Sequence, residues 1–165
     1  MSTPRRILVA TDFSECSRHA VEVACDLAQA LHAELRIVHV WQLTPLIVVG
    51  LEYSATDVVN AVETTSRNML DAEVARVREK VPSATGHLRA GMTADEILAE
   101  ATEARCDFIV TGTHGRTGIG RALVGSVAEA VVRSSTIPVM TVHQPSPKRS
   151  VDLDGSTTEA EARAL

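Results

Sequence analysis

Residues 106–126 read Cys-Asp-Phe-Ile-Val-Thr-Gly-Thr-His-Gly-Arg-Thr-Gly-Ile-Gly-Arg-Ala-Leu-Val-Gly-Ser. The run Cys106–Thr111 is apolar and β-branched, which predicts a buried strand. From Val127 the apolar period returns to that of a helix, which is expected to run to about Ser135. Five of the chain's nine glycines fall between them, from Gly112 to Gly125. Glycine lets backbone N–H groups approach an anion closely. The first turn of the following helix adds unpaired N–H donors and a partial positive charge. Strand, glycine loop and helix together therefore predict one unit of a parallel sheet whose turn holds a phosphate.

Working outward, the same alternation repeats. Ile7–Ala10 reads as a short buried strand, and Ser14 as the N-cap of a helix over 15–32 with Ala20, Val23, Ala24, Leu27, Ala28 and Leu31 along one face. Glu34–Val40 reads as a second buried strand. The segment 41–53, with Pro45 and Gly50 around Leu-Ile-Val-Val, reads as a cover or a partner surface. A long helix is expected over 56–80, stopped by Pro82. Thr85–Ala90 reads as a weaker strand near an edge, and Thr93-Ala-Asp-Glu96 as a capping box before the next helix. The last strand is expected over 137–143, with Pro138 at its start.

Five strands alternating with helices call for an α/β fold, a parallel sheet with helices on both faces. Such sheets bind ligands beyond the carboxyl ends of their strands, at a topological switch point. Asp12 and the loop from Gly112 both fall at such ends. The domain is expected to span 1–143. Residues 144–165, polar and without apolar periodicity, are expected to form a disordered tail.

Spacing excludes two common phosphate loops. A P-loop needs a lysine directly after its second glycine, yet no lysine occurs between Lys80 and Lys148. A dinucleotide fingerprint needs a third glycine where Leu123 stands, and belongs in the first strand–helix turn. What remains is Gly112-x2-Gly115-x9-Gly125-Ser126. This pattern resembles the ATP-binding signature of the universal stress protein family. The opening Ile7-Leu8-Val9-Ala10-Thr11-Asp12-Phe13-Ser14 is similar to that family's first strand and its terminal aspartate. Ser126-Val127-Ala128-Glu129 with Pro138-Val139-Met140-Thr141-Val142 is similar to its last helix and strand, and the resemblance covers about residues 4–143. It implies a three-layer, flavodoxin-like sandwich of the adenine nucleotide alpha hydrolase-like kind, with strand order 3-2-1-4-5. It also implies a homodimer formed through the last strand, about 137–143.

Gly112, Gly115, Gly125 and Ser126 are expected to surround the phosphates, with backbone N–H groups of 125–127, Val127 included, as donors. Each helix-end contribution is modest, about 0.3–1 kcal/mol, so several must act together. Ser126 is read as both N-cap and phosphate donor. His114 and Arg116 would offset phosphate charge, although a solvated loop face explains Arg116 equally well. Asp12 would repel phosphate, so it reads either as a ligand for ribose or adenine or as a turn aspartate. The resemblance implies the former, with Ala10, Thr11 and Val40 lining the adenine pocket; Thr11 is also explicable as a strand-end residue. The implied ligand is ATP, or ADP or AMP, with Mg2+ held mainly by the phosphates.

Composition removes other classes. The net charge is −5, and aromatic residues are 2% of 165, so neither a basic footprint nor base-stacking platforms point to nucleic acid. No apolar run approaches the ~20 residues that span a bilayer, and the amino terminus lacks a signal-peptide pattern; a soluble, cytoplasmic protein is expected. Cys16, Cys25 and Cys106 form no CxxC pair. Cys25 and Cys106 read as core residues. Cys16, in a helix's first turn, reads as packing, with redox sensing as the alternative. No histidine spacing suggests a metal site. Catalysis, if any, is expected to be a weak ATPase, because no activating base or P-loop lysine is evident. The expected role is a nucleotide-dependent, stress-response binding module; a slow nucleotide-processing enzyme or a nucleotide-free interaction protein are the alternatives.

Overall fold

Side chains alternate along the central strand β1 (Arg6–Ala10) and decide the layering. Ile7 and Val9 enter one apolar cluster, Leu8 and Ala10 the other, and the first three of these four residues to be met, Ile7, Leu8 and Val9, are wholly buried. Burying such a side chain is worth about 1.5–3 kcal/mol, so a strand apolar on both faces belongs inside a covered sheet. The structure, a computed structural model, describes residues 5–42, 55–113 and 125–143.

The other described elements are α1 (Glu15–Leu31), β2 (Glu34–Trp41), α2 (Ala55–Arg78), β3 (Thr85–Ala90), α3 (Thr93–Glu103), β4 (Phe108–Gly112), α4 (Ser126–Ser134) and β5 (Val139–Val142). All strand pairs are parallel, and the order is β3-β2-β1-β4-β5. Helices α1 and α2 cover one face, where Val21, Ala24, Leu70 and Val77 meet Ile7, Val9 and Ile37. Helices α3 and α4 cover the other, where Ile97, Ala101 and Val131 meet Leu8, Val38 and Ile109. The α/β sandwich and its strand order are as the sequence implied.

Local differences have local causes. β4 begins at Phe108 rather than Cys106, because the Cys106 N–H closes the end of α3 on Ala101 O at 2.8 Å. β5 begins at Val139, since Ile137 N–H turns back to Ser135 Oγ at 3.2 Å. The expected capping box at 93–96 does not form. Met92 is the N-cap, without a side-chain cap bond, and Glu96 reaches instead for Arg89, whose Nε donates to Oε2 at 2.7 Å. Only the second half of α2 is firmly packed, through Leu70, Val74 and Val77; Val58, Val59 and Val62 are half-buried.

One polar cluster interrupts the second face. Buried Glu100 faces Arg36 and Arg89, while Arg89 also binds Glu103. Arg36 Nε lies 3.0 Å from Glu100 Oε1, but its N–H is not aimed along that line, so this contact is electrostatic rather than a hydrogen bond. Cys16, Cys25 and Cys106 are all buried free thiols, and burial pushes those of Cys25 and Cys106 up to about 11. Cys25 and Cys106 act as core side chains, not nucleophiles. Among the described residues no helix is long and apolar enough to cross a membrane. Of the expected cover at 41–53, Trp41 ends β2 and residues 43–53 lie outside the described residues, as does the tail at 144–165.

Candidate functional site

Three strand ends and three helix starts build the site. At the end of β1 the chain reverses within a few residues. Thr11 N–H still donates to Val38 O at 2.9 Å, extending the ladder by one bond. Asp12 Oδ1 then accepts from Ser14 N–H at 3.1 Å and from Ser14 Oγ at 2.6 Å, closing an Asx-type turn. Phe13 sits between them at φ +64°. Ser14 caps α1 as the sequence predicts, accepting from Ser17 N–H at 3.2 Å. Ser17 Oγ, buried beneath the turn, donates to Ser14 O at 3.0 Å and lies 3.2 Å from Thr11 Oγ1. Asp12 therefore serves the turn whatever else it does.

The second wall comes from the end of β4 and the start of α4. Thr113 N–H donates to Val142 O at 2.9 Å, and Gly125 N–H donates to Thr113 O at 2.6 Å. This last bond ties the two ends of the glycine loop together. It also corrects the expected donor set, because the Gly125 N–H is already used. A further correction concerns Ser126. The N-cap of α4 is Gly125, in an extended conformation, and Ser126 is the first helical residue. The first-turn N–H groups that lack an intrahelical acceptor are therefore those of Ser126, Val127 and Ala128. Gly112 backs directly onto Cys16, leaving no room for a larger residue without displacement.

Between these walls lies a cleft of about 260 Å³. Its apolar corner is Ala10, Val38, Val40 and Ile97, where β1, β2 and α3 meet. Its polar end is Thr111, Gly112 and Thr113 facing Gly125, Ser126 and Val127. Asp12 stands between them, because β1 lies between β2 and β4 in the sheet. Of the residues singled out in the sequence, Ala10, Thr11, Asp12, Val40, Gly112, Gly125, Ser126 and Val127 all line this cleft. His114, Gly115 and Arg116 lie outside the described residues.

Sequence reasoning missed Ser17, Val38, Thr93, Ile97, Thr111, Thr113 and Ala128, which also line it. A signal existed for two: Thr111 and Thr113 flank Gly112 at a strand's carboxyl end. Thr93 and Ile97 enter through the packing of α3, which no local pattern announces. A second hollow of about 510 Å³ adjoins the first and shares Asp12, Val40 and Thr93 with it. Among the described residues no three histidine, cysteine or carboxylate side chains gather as a metal site.

The family model of the universal stress proteins matches residues 3–143, most of the chain. The chain belongs to the universal stress protein family. A universal stress protein A homologue of Coxiella burnetii is 33% identical over 141 residues, covering 84% of this chain and 95% of the relative. The crystal structure of a universal stress protein family member from Burkholderia pseudomallei superposes with a TM-score of 0.68 at 29% identity, over 86% of this chain and 97% of that one. A universal stress protein from Archaeoglobus fulgidus, solved in complex with dAMP, has the same fold, with a TM-score of 0.60 at 22% identity, over 86% and 99% of the two chains. As in other open parallel sheets, the cleft of this universal stress protein sits where the chain, having run outward from β1 to β3, returns to β4.

Proposed function

We propose that this universal stress protein binds an adenine nucleotide, ATP in the first instance, in the cleft between β1 and β4, and acts as a nucleotide-dependent regulatory module in stress response. The observation that carries the reading is the cleft's polarity. An apolar corner suited to a base lies at one end, a helix start with three first-turn N–H groups at the other, and a carboxylate between. The residues fit a nucleotide. Ala10 and Val40 would flank adenine, and Asp12 would accept from ribose hydroxyls. Gly112, Ser126 and Val127 would face the phosphates, with Gly125 holding the loop's end and His114, Gly115 and Arg116 completing the loop. The Archaeoglobus protein, which shares the fold, holds an adenine nucleotide. ADP and AMP are the natural competitors. Mg2+ would be held mainly by phosphate oxygens, because the described residues offer no carboxylate cluster for it.

Turnover is expected to be weak at most, since no P-loop lysine accompanies the phosphates. The reading includes a cytoplasmic protein whose domain ends near residue 143 and whose copies pair through β5.

Calorimetric titration with ATP, ADP and AMP tests the proposal, alongside mass spectrometry of small molecules released from the purified protein. The discriminating variant is Gly125→Asp. Its extended backbone, φ −59° and ψ 148°, suits aspartate, a good N-cap. Helix stability should therefore hold or rise while a carboxylate enters the phosphate end. Affinity for ATP is expected to fall at least about tenfold, or about 1.4 kcal/mol. Wild-type protein that releases no nucleotide and gives no heat would refute the reading.

A further inference from the structure

We propose that His39 is a positioning residue for the nucleoside end of the cleft, a reading that rests on the nucleotide binding proposed above. Both backbone groups of Thr11 are held by β2. Its N–H donates to Val38 O at 2.9 Å, and its carbonyl accepts from His39 Nδ1 at 2.8 Å. A carbonyl oxygen only accepts, so Nδ1 carries a proton and donates it. The same ring packs against Phe13, with centroids 4.4 Å apart and planes tilted by 45°.

His39 thus grips the residue before Asp12 and the residue after it. Phe13 is at φ +64°, a conformation disfavoured for any side chain with a Cβ. Such a conformation persists where its surroundings over-determine it. Here the surroundings include a buried imidazole, bonded to the residue on one side of the carboxylate and packed against the ring on the other. Ser14 then orients the Asp12 carboxylate itself. The direction in which Asp12 faces the cleft is accordingly set from β2, the strand that also supplies Val38 and Val40 to the apolar corner. The phosphate end is built separately, by β4 and α4, on the other side of β1.

This division yields a ratio to measure. Affinities for adenosine, ATP and inorganic tripolyphosphate are determined by calorimetry for wild type, His39→Phe, His39→Asn and Phe13→Leu. His39→Phe keeps a ring against Phe13 but leaves the Thr11 carbonyl without its donor. It is expected to lose about tenfold in affinity for adenosine and ATP, with tripolyphosphate affinity unchanged. His39→Asn places an amide N–H where Nδ1 stood and should recover most of the loss. Phe13→Leu, which leaves the Thr11 bond in place, should shift the adenosine-to-tripolyphosphate ratio in the same direction by about threefold, and it supplies the readout should His39→Phe not fold.

Equal losses for all three ligands would make His39 an ordinary core residue and overturn the inference. So would full adenosine affinity in His39→Phe, or an unshifted ratio in Phe13→Leu. Wild-type protein that binds neither adenosine nor ATP overturns the nucleotide reading and this one with it. Wild type that binds ATP beside an unaffected His39→Phe overturns this one alone.

Discussion

A β-carbon built on Gly112 would lie 3.0 Å from Cys16 Sγ and 3.3 Å from the Cys16 backbone carbonyl group. The last residue of β4 and the second residue of α1 are thus in direct contact. Gly112→Ala requires α1 or β4 to yield by a few tenths of an ångström. The expected cost is about 1–2 kcal/mol, typical of mild overpacking, read as a lowered midpoint in urea. Cys16→Ala in the same chain should restore part of it by removing the Sγ contact, while the backbone contact persists. Additive losses in the double variant would contradict the relationship.

The charged cluster between α3 and the sheet predicts a contrast between two glutamates. Glu100 is buried, and its side chain faces Arg36 and Arg89, each about one-fifth exposed. Removing it takes a buried carboxylate from both in a partly desolvated place, although Arg89 keeps Glu96 and Glu103. Glu100→Ala should cost about 2–3 kcal/mol, somewhat below the range for fully buried pairs because these arginines retain some water. Glu103 binds the same Arg89 from an exposed position. Glu103→Ala should change stability far less than Glu100→Ala, because solvent screens an exposed pair. Chemical denaturation of both variants checks the order, and comparable losses would mean that burial is not what gives Glu100 its weight.

His87 makes this cluster sensitive to pH. Its Nε2 accepts from Arg36 Nη2 at 2.7 Å, an interaction open only to the unprotonated nitrogen. Burial first, then the charges of Arg36 and Arg89, lower its pKa below 6.5, against a raising influence of Glu100. Between the lowered folded value and the unfolded value near 6.5, the unfolded chain binds more protons. Stability contributed by His87 is therefore complete above about pH 6.5 and declines as the pH falls toward the folded value. One group contributes a slope of at most about 1.4 kcal/mol per pH unit. The slope of stability against pH between 5 and 7 should be shallower in His87→Gln than in wild type. Parallel curves would show that His87 titrates alike in both states.

Much of this was legible because the informative signals were local. β-branched runs separated by helical periods specify a parallel sheet, and the 112–126 stretch marks one turn as unlike the rest. Ser14 was readable as a cap because its partner lies three residues away. Signals that depend on the far side of the molecule were not readable. Glu96 sits at capping-box spacing yet leaves for Arg89, because a guanidinium seven residues upstream outcompetes a backbone N–H. Ser126 and Gly125 exchange the role of N-cap because Thr113 O holds Gly125 N–H, fixing where the helix can begin. Thr93 and Ile97 enter the cleft only because α3 packs on β2, and sequence spacing carries no trace of that. His39, twenty-seven positions past Asp12, is the sharpest case, since its bond to Thr11 O exists only once β1 and β2 are paired.

Pairing of copies through β5 can be tested with one proline. Val142 O accepts from Thr113 N–H and Pro138 O from Ile109 N–H, so the even-numbered residues of this strand address β4. Backbone groups alternate in direction along a strand. Those of Thr141, which is exposed, therefore point away from β4, toward the edge where a second copy would add its own strand. Proline at that position removes an outward N–H and no bond of the existing ladder. Thr141→Pro should leave the melting temperature within about 2 °C at a concentration where wild type is monomeric, and should abolish dimerisation in sedimentation at higher concentration. A Thr141→Pro protein that dimerises as tightly as wild type would move the contact away from β5, and a wild type that stays monomeric at high micromolar concentration, with and without ATP, would remove it altogether.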